Sequence, residues 1–134
     1  MVGTKAKGSG AERELLHTLW SKGFAVLRVA GSGSTQYDAC DLIAGRAGKS
    51  FAIEVKACGG TKQYIAAEQM AELLRFSEAF GAEPIVAVKW TRKGWGVIPA
   101  KQMTSSGKHF GVAREQMKPL ADWIAEQTIG FSVK

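Results

Sequence analysis

Cysteine and histidine are scarce, 2 of each in 134 residues. Cys40 and Cys58 have no C-x-x-C spacing, and with His17 and His109 far apart no zinc-type cluster can be assembled from them. The two thiols are expected to be reduced and structurally neutral. No apolar run approaches the ~20 residues of a membrane helix, and the N-terminal MVGTKAKGSG lacks the apolar stretch of a signal peptide. A cytoplasmic protein without membrane attachment is the expectation. Internal repeats, low-complexity tracts and domain linkers are absent as well.

What is present is an ordinary globular composition, 46% hydrophobic and 22% charged, which excludes disorder for most of the chain. The length suits one domain over 1–134, with a flexible N-terminal segment (about 1–8) and a short C-terminal tail (about 128–134). Lys and Arg number 18 against 12 Asp and Glu, a net charge of +6 that favours a polyanionic partner such as nucleic acid.

Ser9 followed by Glu12 fits a capping box, and Leu15, Leu16, Leu19 and Trp20 recur at helical spacing up to Gly23, so a first helix is expected from about Ala11 to Lys22. Phe24 to Val29 reads as a strand entering the polar loop Gly31-Ser32-Gly33-Ser34-Thr35. Asp41 to Ala44, a turn at Gly45 to Gly48 and Ser50 to Ala57 read as a hairpin. A second helix from about Ala66 to Phe80 would bury Met70, Leu73, Leu74 and Phe80, with Gly81 as its C-cap. Pro84 to Trp90 has the near-continuous apolar character of a strand covered on both faces, followed by Trp95 to Ile98. Any strand between Lys101 and Gln116 would be short, and a last helix starts near Pro119. The expected class is α/β, a single mixed β-sheet flanked by α-helices.

Chemistry concentrates in Phe51-Ala52-Ile53-Glu54-Val55-Lys56. Alternation puts Phe51, Ile53 and Val55 on one face and Glu54 and Lys56 on the other, about 6.8 Å apart along the strand. Asp41 opens the preceding hairpin strand, where its carboxylate can converge with that of Glu54. Two acidic side chains at one point suit Mg²⁺, with Mn²⁺ as a substitute, and an adjacent lysine can stabilise charge on a phosphate under attack. Phosphodiester hydrolysis follows from that grouping, although Glu54 and Lys56 can also stand as an ion pair on a solvated strand. Glu12 sits beside the apolar face of the first helix and can add a carboxylate, or serve only the capping box. Arg13 can contact a phosphate or remain a surface arginine.

These residues resemble the archaeal Holliday-junction resolvases of the Hjc type, within the restriction-endonuclease-like nucleases. The resemblance runs through Lys7-Gly8-Ser9-Gly10-Ala11-Glu12-Arg13, Gly23-Phe24-Ala25-Val26, Ala30-Gly31-Ser32-Gly33-Ser34, Asp41-Leu42-Ile43-Ala44, Ile53-Glu54-Val55-Lys56 and Tyr64 to Gln69. It implies a restriction-endonuclease-like core and a metal-dependent endonuclease that acts as a symmetric homodimer on four-way DNA junctions, in recombination and repair. It further implies that Glu12, Asp41 and Glu54 hold the metal and that Lys56 assists at the scissile phosphate. Ser32, in the Gly/Ser loop, is cast as a residue brought to the site when DNA binds, and Gln69 as a polar support. The family often has Pro before the first metal aspartate. Here Cys40 precedes Asp41, and Asp38 is a second candidate.

Lys5, Lys7, Arg13, Arg28, Lys62 and Ser34 are assigned to phosphate contacts, which position a duplex without reading its bases. Tyr64 can stack near the junction or pack internally. Phe76, Phe80, Trp90, Trp95 and Trp123 supply the core, and some of them a dimer surface. Gln127, Ile129 and Phe131 faintly resemble a peptide that docks on a sliding clamp. Two rivals use many of the same features: a non-catalytic binder of branched DNA, which has no need of the carboxylates, and a related nuclease acting on flaps or duplex.

Overall fold

The computed structural model describes residues 2–30 and 36–128, with side chains from residue 10 onward. In chain order these form α1 (Val2–Ser21), β1 (Ala25–Arg28), β2 (Leu42–Arg46), β3 (Lys49–Cys58), β4 (Lys62–Ala66), α2 (Ala67–Phe80), β5 (Glu83–Trp90), β6 (Gly94–Pro99), β7 (Thr104–Ser106), β8 (His109–Ala113), β9 (Lys118–Pro119) and α3 (Leu120–Thr128).

Six strands build one mixed sheet in the order β1-β2-β3-β5-β6-β9, where β3 and β5 run parallel and every other neighbouring pair antiparallel. The parallel pair is possible because β4 and α2 form the crossover between its strands. Both faces are covered. On one, Ala11, Leu15 and Leu19 recur every four residues along α1 and pack with Leu120, Trp123 and Ile124 of α3 over Phe51, Ile53 and Val55. On the other, Met70 and Leu73 of α2 cover Ala52, Val86 and Val88. β3 and β5 are therefore buried from both sides, as the apolar run of β5 predicts.

Three expectations need correction. The first helix begins at Val2 rather than Ala11, which puts Ser9 inside it, so the Ser9–Glu12 capping box does not form. Single glycines at positions 3, 8 and 10 weaken a helix by only ~1 kcal/mol each without ending it. The sheet is also not single, because β4, β8 and β7 make a second, three-stranded sheet. Its strands escaped notice because Thr104–Ser106 is exposed throughout and β4 buries Ile65 alone. Finally, Phe80 does not join the buried stripe of α2, because it lies in the helix's last turn, exposed and stacked on Phe76, whereas α3 starts at Leu120, as expected near Pro119.

An aromatic trio locks α3 to the sheet. Phe24 stacks on Trp123 at 5.7 Å, and Phe51 meets Trp123 edge-on at 4.9 Å. Phe51→Ala is expected to cost ~3–5 kcal/mol by urea denaturation, the usual penalty for emptying a buried aromatic site. A loss below ~1 kcal/mol would mean that the trio does not hold α3 in place.

Candidate active site

Position 54 lies at the middle of β3, where the alternation that sends Ile53 and Val55 to the α1 and α3 core sends Glu54 to the α2 side. The residue is only 8% exposed. Asp41 is held beside it by three bonds: its N–H donates to Ile53 O (3.0 Å), its carbonyl accepts from Val29 N–H (2.9 Å), and its Oδ2 accepts from Val55 N–H (2.9 Å). The backbone is thereby tied to the end of β1 and to β3, and the carboxyl group to β3, just before β2 begins.

Gln69 reaches the pair from the first turn of α2. Its Nε2 donates to Glu54 Oε2 (3.3 Å), and its Oε1 accepts from Lys56 Nζ (3.2 Å). Lys56 also faces Glu54 directly, at 3.6 Å. One carboxamide thus spans the acid and the base and fixes both. Burial, reinforced by the negative charge of Asp41, pushes the Glu54 carboxyl up to about 8 against the opposing pull of Lys56. Two carboxyl groups with one proton largely retained between them form a site that a hard cation would relieve.

The alternative aspartate is engaged elsewhere. Asp38 accepts two bonds from Arg75 of α2, at 2.9 and 3.0 Å, and the guanidinium holds its carboxyl below the usual range. Glu12 is not gathered with Asp41 and Glu54: Arg28 Nε, at the end of β1, donates to its Oε1 at 2.7 Å. Among the described residues no cluster of three or more His, Cys, Asp or Glu side chains forms a ready metal cage. Cys40, next to Asp41, is buried with its Sγ donating to Leu42 O (3.2 Å), and burial pushes the thiol up to about 12. It is an inert core residue.

Arg13 is exposed on α1, and Lys62 and Tyr64 are exposed on β4. Lys5 and Lys7 lie on α1 ahead of the described side chains, while Ser32 and Ser34, like Ile129 and Phe131 of the clamp-like tail, lie outside the described residues. Of the tryptophans proposed for a dimer surface, Trp90 and Trp123 are buried in the two cores, and Trp95 Nε1 donates to Glu14 (2.9 Å). Sequence reasoning missed Arg75, for which an arginine on the polar side of α2 gave no signal.

The family model for the archaeal Holliday junction resolvase (Hjc) matches residues 3–129. The chain belongs to the Hjc family. It is 40% identical over 122 residues to the crossover junction endodeoxyribonuclease Hjc of Archaeoglobus fulgidus, covering 91% of this chain and 89% of that protein. It is also 40% identical over 115 residues to that of Methanocaldococcus jannaschii, covering 86% and 81%. The solved structure of the A. fulgidus Hjc superposes with a TM-score of 0.81 at 33% identity, over 87% of this chain and 99% of that one. A bacterial homing endonuclease, I-Ssp6803I, shares the fold at 17% identity, with a TM-score of 0.57 over 96% of both chains. Hjc membership makes the chain a junction-resolving endonuclease with the mixed sheet expected of it. No described helix is long and apolar enough to cross a membrane.

Because the folded Glu54 holds its proton to about 8 while an unfolded glutamate releases it near ~4.3, the group favours folding fully below ~4.3 and loses that contribution as pH rises through 8. Glu54→Gln keeps the shape without the charge. In the metal-free protein the variant is expected to gain on wild type across that window, by roughly 4 °C or more in Tm at about pH 9. Parallel pH profiles for the two proteins would show that Glu54 carries no such burden.

Proposed function

We propose that this resolvase cuts four-way junctions by metal-dependent phosphodiester hydrolysis centred on Asp41, Glu54 and Lys56. The observation that carries this reading is the Glu54 carboxyl, buried in β3, facing Lys56 at 3.6 Å and bridged to it by Gln69, with Asp41 pinned to the same strand at Val55. Two carboxylates and no soft ligand match the donor set of Mg²⁺, or of Mn²⁺ in its place. Such a cation, when bound, supplies charge neutralisation at the phosphate and a more acidic water.

The chain's own residues do the rest. Asp41 and Glu54 would hold the ion in a geometry fixed by β2 and β3. Lys56, its ammonium anchored on Gln69, presents positive charge to a non-bridging phosphate oxygen as charge accumulates there. Glu12 is the third carboxylate of the proposed ligand set. Arg28 holds it in the free protein, and a DNA phosphate competing for that guanidinium would release it. Ser32 would join the site on DNA binding. Lys5, Lys7, Arg13, Arg28, Ser34 and Lys62 contact phosphates, and Tyr64 contacts the DNA near the branch.

A junction with approximate two-fold symmetry asks for two equivalent sites, so the active species is a homodimer with isologous contacts. On α2, Phe76 and Phe80 stack at 5.6 Å and Phe80 remains 54% exposed, an apolar surface suited to that contact. The C-terminal tail is the candidate for docking on a sliding clamp.

Labelled four-way junction, flap and linear duplex DNA, incubated with Mg²⁺ or EDTA, test the reading. Paired Mg²⁺-dependent nicks in the junction are expected, with Asp41→Asn and Glu54→Gln each slowing cleavage by at least ~100-fold while junction binding persists. Parental cutting by either variant would remove the residue from the proposed metal site, and preferential cutting of flaps or linear duplex would replace the substrate.

A further inference from the structure

The small sheet presents a face that the active-site chemistry does not use. Tyr64 of β4 stands opposite Gly111 of β8, and Gly111 stands opposite Thr104 of β7, so an aromatic ring, a bare backbone and a hydroxyl lie in one row across the three strands. Together with Lys62, Ser106 and Gln116 they line a cleft of about 290 Å³.

The ring is held, not loose. A Cβ at Gly111 would come within 3.0 Å of Tyr64 Cε1, so the ring rests against backbone that only glycine leaves open. His109 meets it edge-on, with ring centres 6.4 Å apart. Even so, Tyr64 is 51% exposed. An aromatic fixed on two sides and open on the rest is a stacking platform of the kind that single-stranded nucleic acid uses.

The polar groups around it have capacity to spare. Gln116 Oε1 accepts from Ala113 N–H (2.7 Å), which leaves its amide nitrogen as a donor. Ser106 Oγ donates to His109 O (3.4 Å), which leaves the oxygen's lone pairs as acceptors. Lys62 supplies an exposed cation. Ring, donor, acceptor and cation are the complement of a nucleotide: a base face, the base edges and a phosphate.

We propose that this cleft receives one nucleotide opened from a base pair at the branch of the DNA, with its base on Tyr64 and its phosphate on Lys62. The inference rests on the resolvase reading and adds a specificity element to it. In a continuous duplex every base pair is stacked on both sides, whereas a pair beside a branch point loses a stacking neighbour and opens at lower cost. β4 runs without a break into α2, so Tyr64 stands five positions before Gln69, the residue that holds Glu54 and Lys56, and Ala67 N–H ties the start of α2 to Lys108 O at 2.8 Å. Occupancy of the cleft is thereby registered to the active site.

The test is binding in EDTA to a four-way junction carrying 2-aminopurine at the branch, and to a linear duplex of the same sequence. It compares wild type, Tyr64→Phe and Tyr64→Ala, each first checked for an unchanged Tm. Tyr64→Ala is expected to weaken junction binding about tenfold, leave duplex binding as it was, and lose the fluorescence quenching that wild type and Tyr64→Phe give. Wild-type junction affinity in Tyr64→Ala, or an equal loss on both DNAs, overturns the proposal. Cleavage of junctions by wild type alongside either result confines the failure to the cleft, while a wild type that neither binds nor cuts junctions removes the resolvase reading and the cleft with it.

Discussion

A strand at the centre of a sheet covered on both faces has no solvated side, and β3 must nevertheless deliver a carboxylate and an ammonium from its middle. Burying Glu54 there is unfavourable, because the charged form loses hydration that no single neighbour restores. The surrounding structure answers in three ways: Gln69 donates to the carboxyl, Lys56 faces it, and the proton is largely kept. Each answer holds only while α2 stays docked on the sheet. The placement of α2, through Met70 and Leu73 in the core, is therefore the condition for the chemistry proposed at this site.

The same arrangement explains the rigidity of Asp41. Its backbone and carboxyl groups bond to Val29, Ile53 and Val55, so its position is set by the β1, β2 and β3 registers rather than by a loop. Arg75 strengthens this from the α2 side by clasping Asp38 three residues upstream, which ties down the approach of the chain to Asp41. On the opposite face, α1 and α3 close the apolar core under the site, and α1 carries Glu12 to Arg28 at the end of β1.

Much of this was legible in the sequence. The alternation Phe51-Ile53-Val55 against Glu54-Lys56 is a period-two signal that the observed core follows, and the apolar run from Pro84 to Val88 gave the doubly covered strand. Asp41 is preferred over Asp38 in the sequence because it opens an apolar strand, while the bidentate Arg75 that engages Asp38 is a tertiary contact without a local signature. Gln69 came from family resemblance alone, since a glutamine on a helix surface has no chemical mark. The small sheet was missed because its strands are short and largely polar, with β7 exposed along its whole length. The extent of α1 was missed because the Ser9–Glu12 capping box sets its start near Ala11, and Glu12 was credited with a cap where the structure gives it an arginine partner.

The metal site proposed for Asp41 and Glu54 requires a divalent cation to displace the proton that burial favours on Glu54. Titrating Mg²⁺ calorimetrically at about pH 7 in two buffers of different protonation enthalpy counts that proton directly. Close to one proton released per ion bound by wild type, and essentially none by Glu54→Gln, is the predicted result. An equal proton count in the two proteins would contradict it.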